Sequence, residues 1–187
     1  GPRALVAVPR LVKFLEEKDE DQRLAAALTL GKVGQGAVET VARLLQHKDQ
    51  GTRYYALTTL GWIGPAVKAK LSAVVPLLRD KDDQVRRKAA FALGRLQPEA
   101  KLALKPLAQL LTDPSEDVRR EAAEALGQLG GPAAPALIEA LQDDFATIKI
   151  AAAQGLAAMG PAAREAVSAL QHNAAGKEEA AAEAAGG

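Results

Sequence analysis

The chain has 187 residues, a net charge of +1 and no cysteine. That length allows one domain or one compact array of repeats, the near-neutral charge excludes a global electrostatic pull on nucleic acid, and the missing thiols exclude a disulfide framework, a thiolate zinc site and a cysteine nucleophile. Aromatic residues make up only 3%, so the core must be built from alanine, leucine and valine, and no apolar run approaches the roughly 18 residues of a membrane span.

The chain opens on Gly1-Pro2 without a methionine, which is expected of a protease-trimmed piece of a longer protein. No signal peptide is visible. A pattern then recurs along the chain. A basic residue stands before an alanine-rich stretch at Arg23, Arg53, Arg86, Arg119 and Lys149, in steps of 30, 33, 33 and 30. The segments RLAAALTLGKVG, RYYALTTLGWIG, RRKAAFALGRLQ, RREAAEALGQLG and KIAAAQGLAAMG align without gaps, and eight residues before each basic anchor stands Leu15, Leu45, Leu78, Leu111 or Leu141.

Each unit reads as helix–turn–helix. Helix A ends near the leucine, a short acidic turn follows, and helix B is predicted near 20–33, 50–63, 83–96, 116–129 and 146–159. Asp19, Asp49, Asp82 and Ser115 stand four before the anchor, and each can cap a free helix N–H. The G-x-x-G that closes most units suits helix ends, where glycine takes a left-handed conformation. Pro9, Pro106 and Pro135 lie five or six before the unit leucine, but Pro76 lies two before Leu78. Proline costs about 3 kcal/mol inside a helix, so a kink or break is predicted there. The last unit departs from the pattern: Lys149 replaces arginine, Phe145 the cap and Ala157 a glycine. A final A-type helix over 162–171 is predicted, and 173–187 is expected to be a flexible tail beyond a single repeat domain over 1–172.

The pattern resembles HEAT repeats, in particular the short variety associated with phycobilisome lyases, whose signature reads LLxDxDxxVRxxAAxALGxLG. QVRRKAAFALGRL and DVRREAAEALGQL match it almost throughout. The likeness runs from about residue 3 to 172 and is specific to fold, not to function. It implies an all-α fold, a right-handed α-solenoid of about five repeats plus a terminal helix. It also implies a ladder in which Arg23, Arg53, Arg86 and Arg119 bond acidic turn residues, Asp49 and Asp82 among them, and which weakens at Lys149.

Which face is left free follows from the helical advance of about 100° per residue. Counting from the anchor, columns +3, +4, +7 and +10 are apolar in nearly every unit and mark the packed side. Column +6 is small throughout, which suits a closely approaching helix. Columns +1, +2, +5 and +9 lie opposite and vary freely; they hold Tyr54, Tyr55, Thr58 and Trp62 in the second unit and Arg87, Lys88, Phe91 and Arg95 in the third. In solenoids of this kind the B helices line the concave wall, so these columns become a groove. Leu24, Leu28, Tyr54, Tyr55, Thr58, Trp62 and Phe91 give it an apolar, aromatic end. Arg87, Lys88, Arg95 and Arg120 give it a basic middle, interrupted by Glu121 and Glu124. The competing reading has Leu24 and Leu28 covered by the N-terminal segment and Phe91 tilted into the core.

Chemical motifs are missing. His47 and His172 are the only histidines and lie far apart. Deoxyhypusine hydroxylases with HEAT-like repeats ligate iron through His-Glu pairs, where this chain has Arg120-Glu121. No Ser/His/Asp set and no phosphate-binding glycine loop is present. The expectation is a non-enzymatic scaffold with no catalytic residue, no metal and no cofactor, which binds a protein or peptide segment in the groove. The alternatives are bilin-lyase-like or chaperone-type action on a protein-bound ligand, and nucleic-acid binding through the basic middle, which the small electrostatic footprint disfavours. No membrane contact is expected, the monomer is the expected state, and a cytoplasmic location is only a default.

Overall fold

A computed structural model describes residues 2–95, 102–142, 145–161 and 163–164. The tail expected over 173–187 and most of the helix predicted over 162–171 lie outside them. The first unit consists of α1 (Pro2–Phe14) and α2 (Glu20–Val33), and the second of α3 (Gln35–Ala42) and α4 (Gln50–Ile63). The third pairs α5 (Leu71–Val74), flanked by 3-10 turns, with α6 (Asp83–Arg95); α7 (Leu104–Gln109) and α8 (Glu116–Leu129) form the fourth, α9 (Ala134–Ala140) and α10 (Ala146–Met159) the fifth. No strand occurs among the described residues. The described residues form an all-α solenoid of five helical pairs.

Local chemistry sets the helix boundaries. The carboxylates of Asp19, Asp49 and Asp82 accept the backbone N–H of Gln22, Thr52 and Val85 at 3.0, 2.8 and 3.0 Å, which satisfies an otherwise orphaned donor in each first turn. Ser115 occupies the cap position of α8 without such a bond, and Phe145 has no side chain able to cap α10. Pro76 lies in the 3-10 turn Val75–Arg79 that follows the four-residue α5, so the outer helix of the third unit is broken there, as a ring without an N–H requires. Tightening at the unit leucine is not confined to proline, because Arg43–Gln46 and Leu110–Thr112 are also 3-10.

The two glycines of each G-x-x-G do different work, which corrects the assignment of both to helix ends. Gly34, Gly64, Gly130 and Gly160 end the inner helices at φ 72°, 70°, 77° and 59°. Their ψ values, −138°, −138°, −157° and −130°, turn the chain sharply away instead of continuing a left-handed turn, and only glycine tolerates this region readily. The first glycine lies inside the helix and receives the next inner helix. A Cβ on Gly94 would stand 2.9 Å from Cα of Ala125, and one on Gly61 would stand 2.5 Å from the Phe91 ring. The small residues Thr59, Ala92, Ala125 and Gly155 are buried at this seam.

Alanines 26, 56, 89, 122 and 152 and leucines 30, 60, 93 and 126 are buried on the packed side of the inner helices. In sequence order α2, α4, α6, α8 and α10 stack on one another, and they meet more extensively than the outer helices do. The closer layer is the shorter arc, so the free surface of the inner helices is the concave wall.

A run of arginines crosses the turns. Arg53 Nε and Nη2 each donate to the Asp80 carboxylate at 2.8 Å, while Nη1 donates to the His47 carbonyl of its own turn at 2.8 Å. Arg86 repeats this with Asp113, at 2.7 and 2.9 Å, and with the Asp80 carbonyl at 2.9 Å. Arg23 donates to Asp49 at 3.0 Å and to the Glu17 carbonyl. Arg119 meets the neutral hydroxyl of Thr147 at 2.9 Å, and its buried Nε has no partner among the described residues. Asp82, expected in this ladder, is not part of it. Its carboxylate is used as the α6 cap, and Asp80, two residues earlier, faces Arg53.

Burial pushes the Asp80 carboxyl up, but the hydrogen bonds from Arg53 and the Asp82 amide, with the Arg53 charge, outweigh it and hold Asp80 below its usual value of 3.8. A lowered carboxyl stabilises the fold above its unfolded value and stops doing so as pH falls through the folded one. Both side chains of this pair are 8% exposed, whereas Asp49 is 43% exposed. Asp80→Ala, which strands a buried guanidinium, is expected to cost about 3 kcal/mol. Asp49→Ala, which loses a cap and a wetter ion pair, should cost about 1 kcal/mol. Urea melts at pH 7 compare the two.

Candidate partner-binding groove

The five inner helices present their variable columns on the concave wall, and the structure sorts the candidates there. Leu24, Leu28 and Trp62 are exposed, at 42%, 45% and 38%. The Trp62 side chain crosses the seam to lie on Gly31, whose added Cβ would stand 3.3 Å from Trp62 Cβ. This places the indole one helical turn from Leu28. Tyr54 and Tyr55 are half-buried and meet edge to face, with ring centroids 5.0 Å apart. Burial and then the nearby Glu20 carboxylate push the Tyr55 phenol up. Phe91 is also half-buried and lies over Gly61.

Thr58 must be removed from the groove. It is 4% exposed, and its hydroxyl donates to the Tyr54 carbonyl at 2.9 Å. A single-helix projection places it on the free face, but in this unit that position is buried.

The basic middle is less available than its composition suggests. Lys88 Nζ sits 5.4 Å from the Tyr54 ring centroid and 5.0 Å from that of Phe91, so the ammonium is held between two π faces. Arg120 pairs with Asp117 on its own helix. Arg87 is half-buried, and its Nε is buried without a partner among the described residues. Arg95 is exposed at the end of α6. Arg86 and Arg119 are committed to the turns.

Glu121 lies among these cations. Burial, then the neighbouring Glu124 carboxylate, push its carboxyl above the usual 4.5, against the pull of Lys88, Arg87 and Arg120. Beside the tyrosines a cleft of about 250 Å³ opens at the first turns of α2, α4 and α6, lined by Glu20, Gln50, Gly51 and Gln84 with Arg23, Tyr54, Tyr55 and Asp82. The glutamines were not among the sequence candidates, because first-turn positions precede the anchor from which the columns are counted.

Among the described residues no group of three or more histidine, cysteine, aspartate or glutamate side chains could hold a metal. No described helix is long and apolar enough to cross a membrane.

Stacked helical pairs with an open inner wall define an α-solenoid of the repeat class. Residues 8–93, 71–157 and 104–186 match the family model for HEAT repeats, and the chain belongs to the HEAT-repeat family. It is similar to a chain in the complex of CpcE and CpcF of phycocyanin lyase from Nostoc sp. PCC7120, with a TM-score of 0.71 and 23% identity over 80% of this chain and 98% of that one. A designed armadillo repeat protein in complex with the peptide (KR)4 shares the fold at a TM-score of 0.56 and 23% identity, over 82% of each chain. The karyopherin Kap121p, bound to the extreme C-terminus of the protein phosphatase Cdc14p, shares it at 0.60 and 14%, over 86% of this chain and 21% of that one. No curated protein matches the sequence.

The raised carboxyl at Glu121 gives a pH test. A carboxyl raised on folding favours the folded state while it is protonated, and that contribution is lost as pH rises through the folded value. Glu121→Gln should therefore raise the melting temperature at pH 7. The gain should shrink as pH falls through the raised value and vanish below the ordinary carboxylate range. Thermal melts of both proteins between pH 3 and 7 measure it.

Proposed function

We propose that the chain is a non-catalytic interaction scaffold that seats a peptide or protein segment along its concave wall. The observation that carries this reading is the aromatic and aliphatic surface spanning the first three inner helices, where Leu24, Leu28 and Trp62 stand exposed beside half-buried Tyr54, Tyr55 and Phe91. Large side chains at such a seam are not needed for stacking, because the seam itself is made by small residues. Aromatic groups in a concave setting are the groups that most often dominate binding energy.

The partner has an apolar stretch against Trp62 and Leu28 and an acidic group opposite Arg95. Lys88 acts chiefly through the rings it touches, since its ammonium is already seated on them. Two of the similar folds, the designed armadillo protein and Kap121p, are bound to a peptide and to a protein terminus, which supports a segment as the kind of ligand. The engagement of Lys88, Arg120 and the turn arginines weighs against a nucleic-acid ligand, for which a low-salt mobility shift would be the sign.

The test is a peptide selected from a displayed library on the wild-type protein. Trp62→Ala should weaken that peptide roughly 30-fold, the size of a 2 kcal/mol hot spot, and leave the helical melting curve nearly unchanged. Undiminished affinity would remove this site.

The likeness to the phycocyanin lyase fold favours a second reading, in which the same aromatic surface handles a protein-bound tetrapyrrole. Visible absorbance changes on adding a bilin would support it, and an unchanged spectrum would dismiss it.

A further inference from the structure

Where the aromatic surface lies, the inner helices carry opposite charge at their two ends. At the first turns of α2 and α6, Glu20 and Asp21 are exposed and Asp83 is half-buried. At the last turns of α2, α4 and α6, Lys32, Trp62 and Arg95 stand exposed in one column of the repeat. Leu24, Leu28, Tyr54 and Tyr55 lie between. Across its width the wall is thus acidic, then apolar, then basic.

The acidic side is hollow. The cleft of about 250 Å³ is bounded by Glu20, Gln50, Gln84 and Asp82 together with the two tyrosine rings. The side chains of Glu20, Gln50 and Gln84 form no hydrogen bond or ion pair with the described residues. The Glu20 carboxylate stands near enough to Tyr55 to push its phenol up, second only to burial. Arg23, the cation in the lining, is already committed, with Nε on the Glu17 carbonyl and Nη2 on the Asp49 carboxylate. An anion here would face Glu20 and Asp82, so the charge of the cleft disfavours it. A cation suits it, and a guanidinium suits it better than an ammonium. Its weakly hydrated faces stack on rings, while its edge offers donors to carboxylate and amide oxygens in several directions at once.

We propose that this cleft receives an arginine side chain of the partner segment, and that the segment lies across the wall, with apolar residues on Leu28 and Trp62 and an acidic residue at Lys32 or Arg95. The proposal rests on the groove reading above and adds the partner's chemistry and direction. Gln84 and Arg95 stand eleven residues apart on α6, which is roughly 16 Å of helix. An extended chain covers that distance in about five residues. The partner therefore carries an arginine, an apolar middle and an acidic residue about five positions from the arginine. A wholly basic segment would bring its far end against Lys32 and Arg95, which selects against it.

The probe is an end-blocked peptide with arginine first, leucines in the middle and glutamate about five residues on, titrated into the isotopically labelled full chain and followed by NMR. The side-chain amides of Gln50 and Gln84 and the Trp62 indole N–H should shift together. Citrulline in place of the arginine keeps the shape and removes the charge, and should weaken binding about 5-fold, as should Glu20→Gln. The two changes together should weaken it little more than either alone, because both remove the same contact. Moving the glutamate next to the arginine should also weaken it. Glu20 is exposed, so an unaltered circular dichroism melt is expected for the variant. The proposal is overturned by unmoved glutamine amides at millimolar peptide, by equal affinity of the citrulline peptide, or by indifference to Glu20→Gln. Shifts at Trp62 alone would overturn it and leave the groove standing. Shifts at the glutamines alone would remove the groove, and with it the direction assigned here.

Discussion

Each of the first three anchor arginines belongs to two turns at once, and that double membership ties the array together. Its guanidinium donates backward to a carbonyl of its own turn and forward to a carboxylate of the next. A planar group with five donors in a fixed fork can satisfy both directions, which a lysine ammonium cannot do with the same geometry. The forward bond holds one turn over the next at a fixed distance. The seam below then closes, because the inner helices meet at Gly61, Gly94 and Gly127. Helical pairs too small to bury their own apolar faces are thereby joined into one continuous core. Where the forward bond meets a hydroxyl in place of a carboxylate, at Arg119 and Thr147, the following unit also lacks a capping side chain.

The repeat, its helical pairs and the break at Pro76 could be read from local chemistry. Caps, leucines and prolines act within a few residues of where they stand, and five copies let the columns be compared. The ladder acids were harder to find. The column six before the anchor holds Glu17, His47, Asp80 and Asp113 in its first four copies, so its chemistry does not stand out, whereas the capping column is nearly uniform and drew Asp82 into a role it does not have. Likewise, the first glycine of G-x-x-G reads as punctuation until a neighbouring helix is placed against it. Thr58 shows the limit of projecting one helix, which gives the direction of a side chain but not its burial in the assembled array.

In the groove the difference is one of availability. Charges in the third unit suggest a basic strip, yet the Lys88 ammonium lies on the rings of Tyr54 and Phe91, and the partly buried Glu121 draws on the same cations. Such contacts link residues on α4, α6 and α8, and no spacing within one helix encodes them. The concave wall therefore offers hydrophobic area more readily than charge. Its aromatics also help order the long side chains around them, so less conformational entropy remains to be lost when a ligand arrives.

Trp62 has a consequence that reaches beyond binding. Its side chain starts on α4 and lies across Gly31 of α2, and it is the sole tryptophan of the chain. A solenoid flexes by small changes of angle at each seam, which a global measurement averages over the array. Here one seam carries an indole whose packing changes as that angle changes. The molecule thus holds its own strain gauge, a fluorophore that reports the spacing of the first two units without any label.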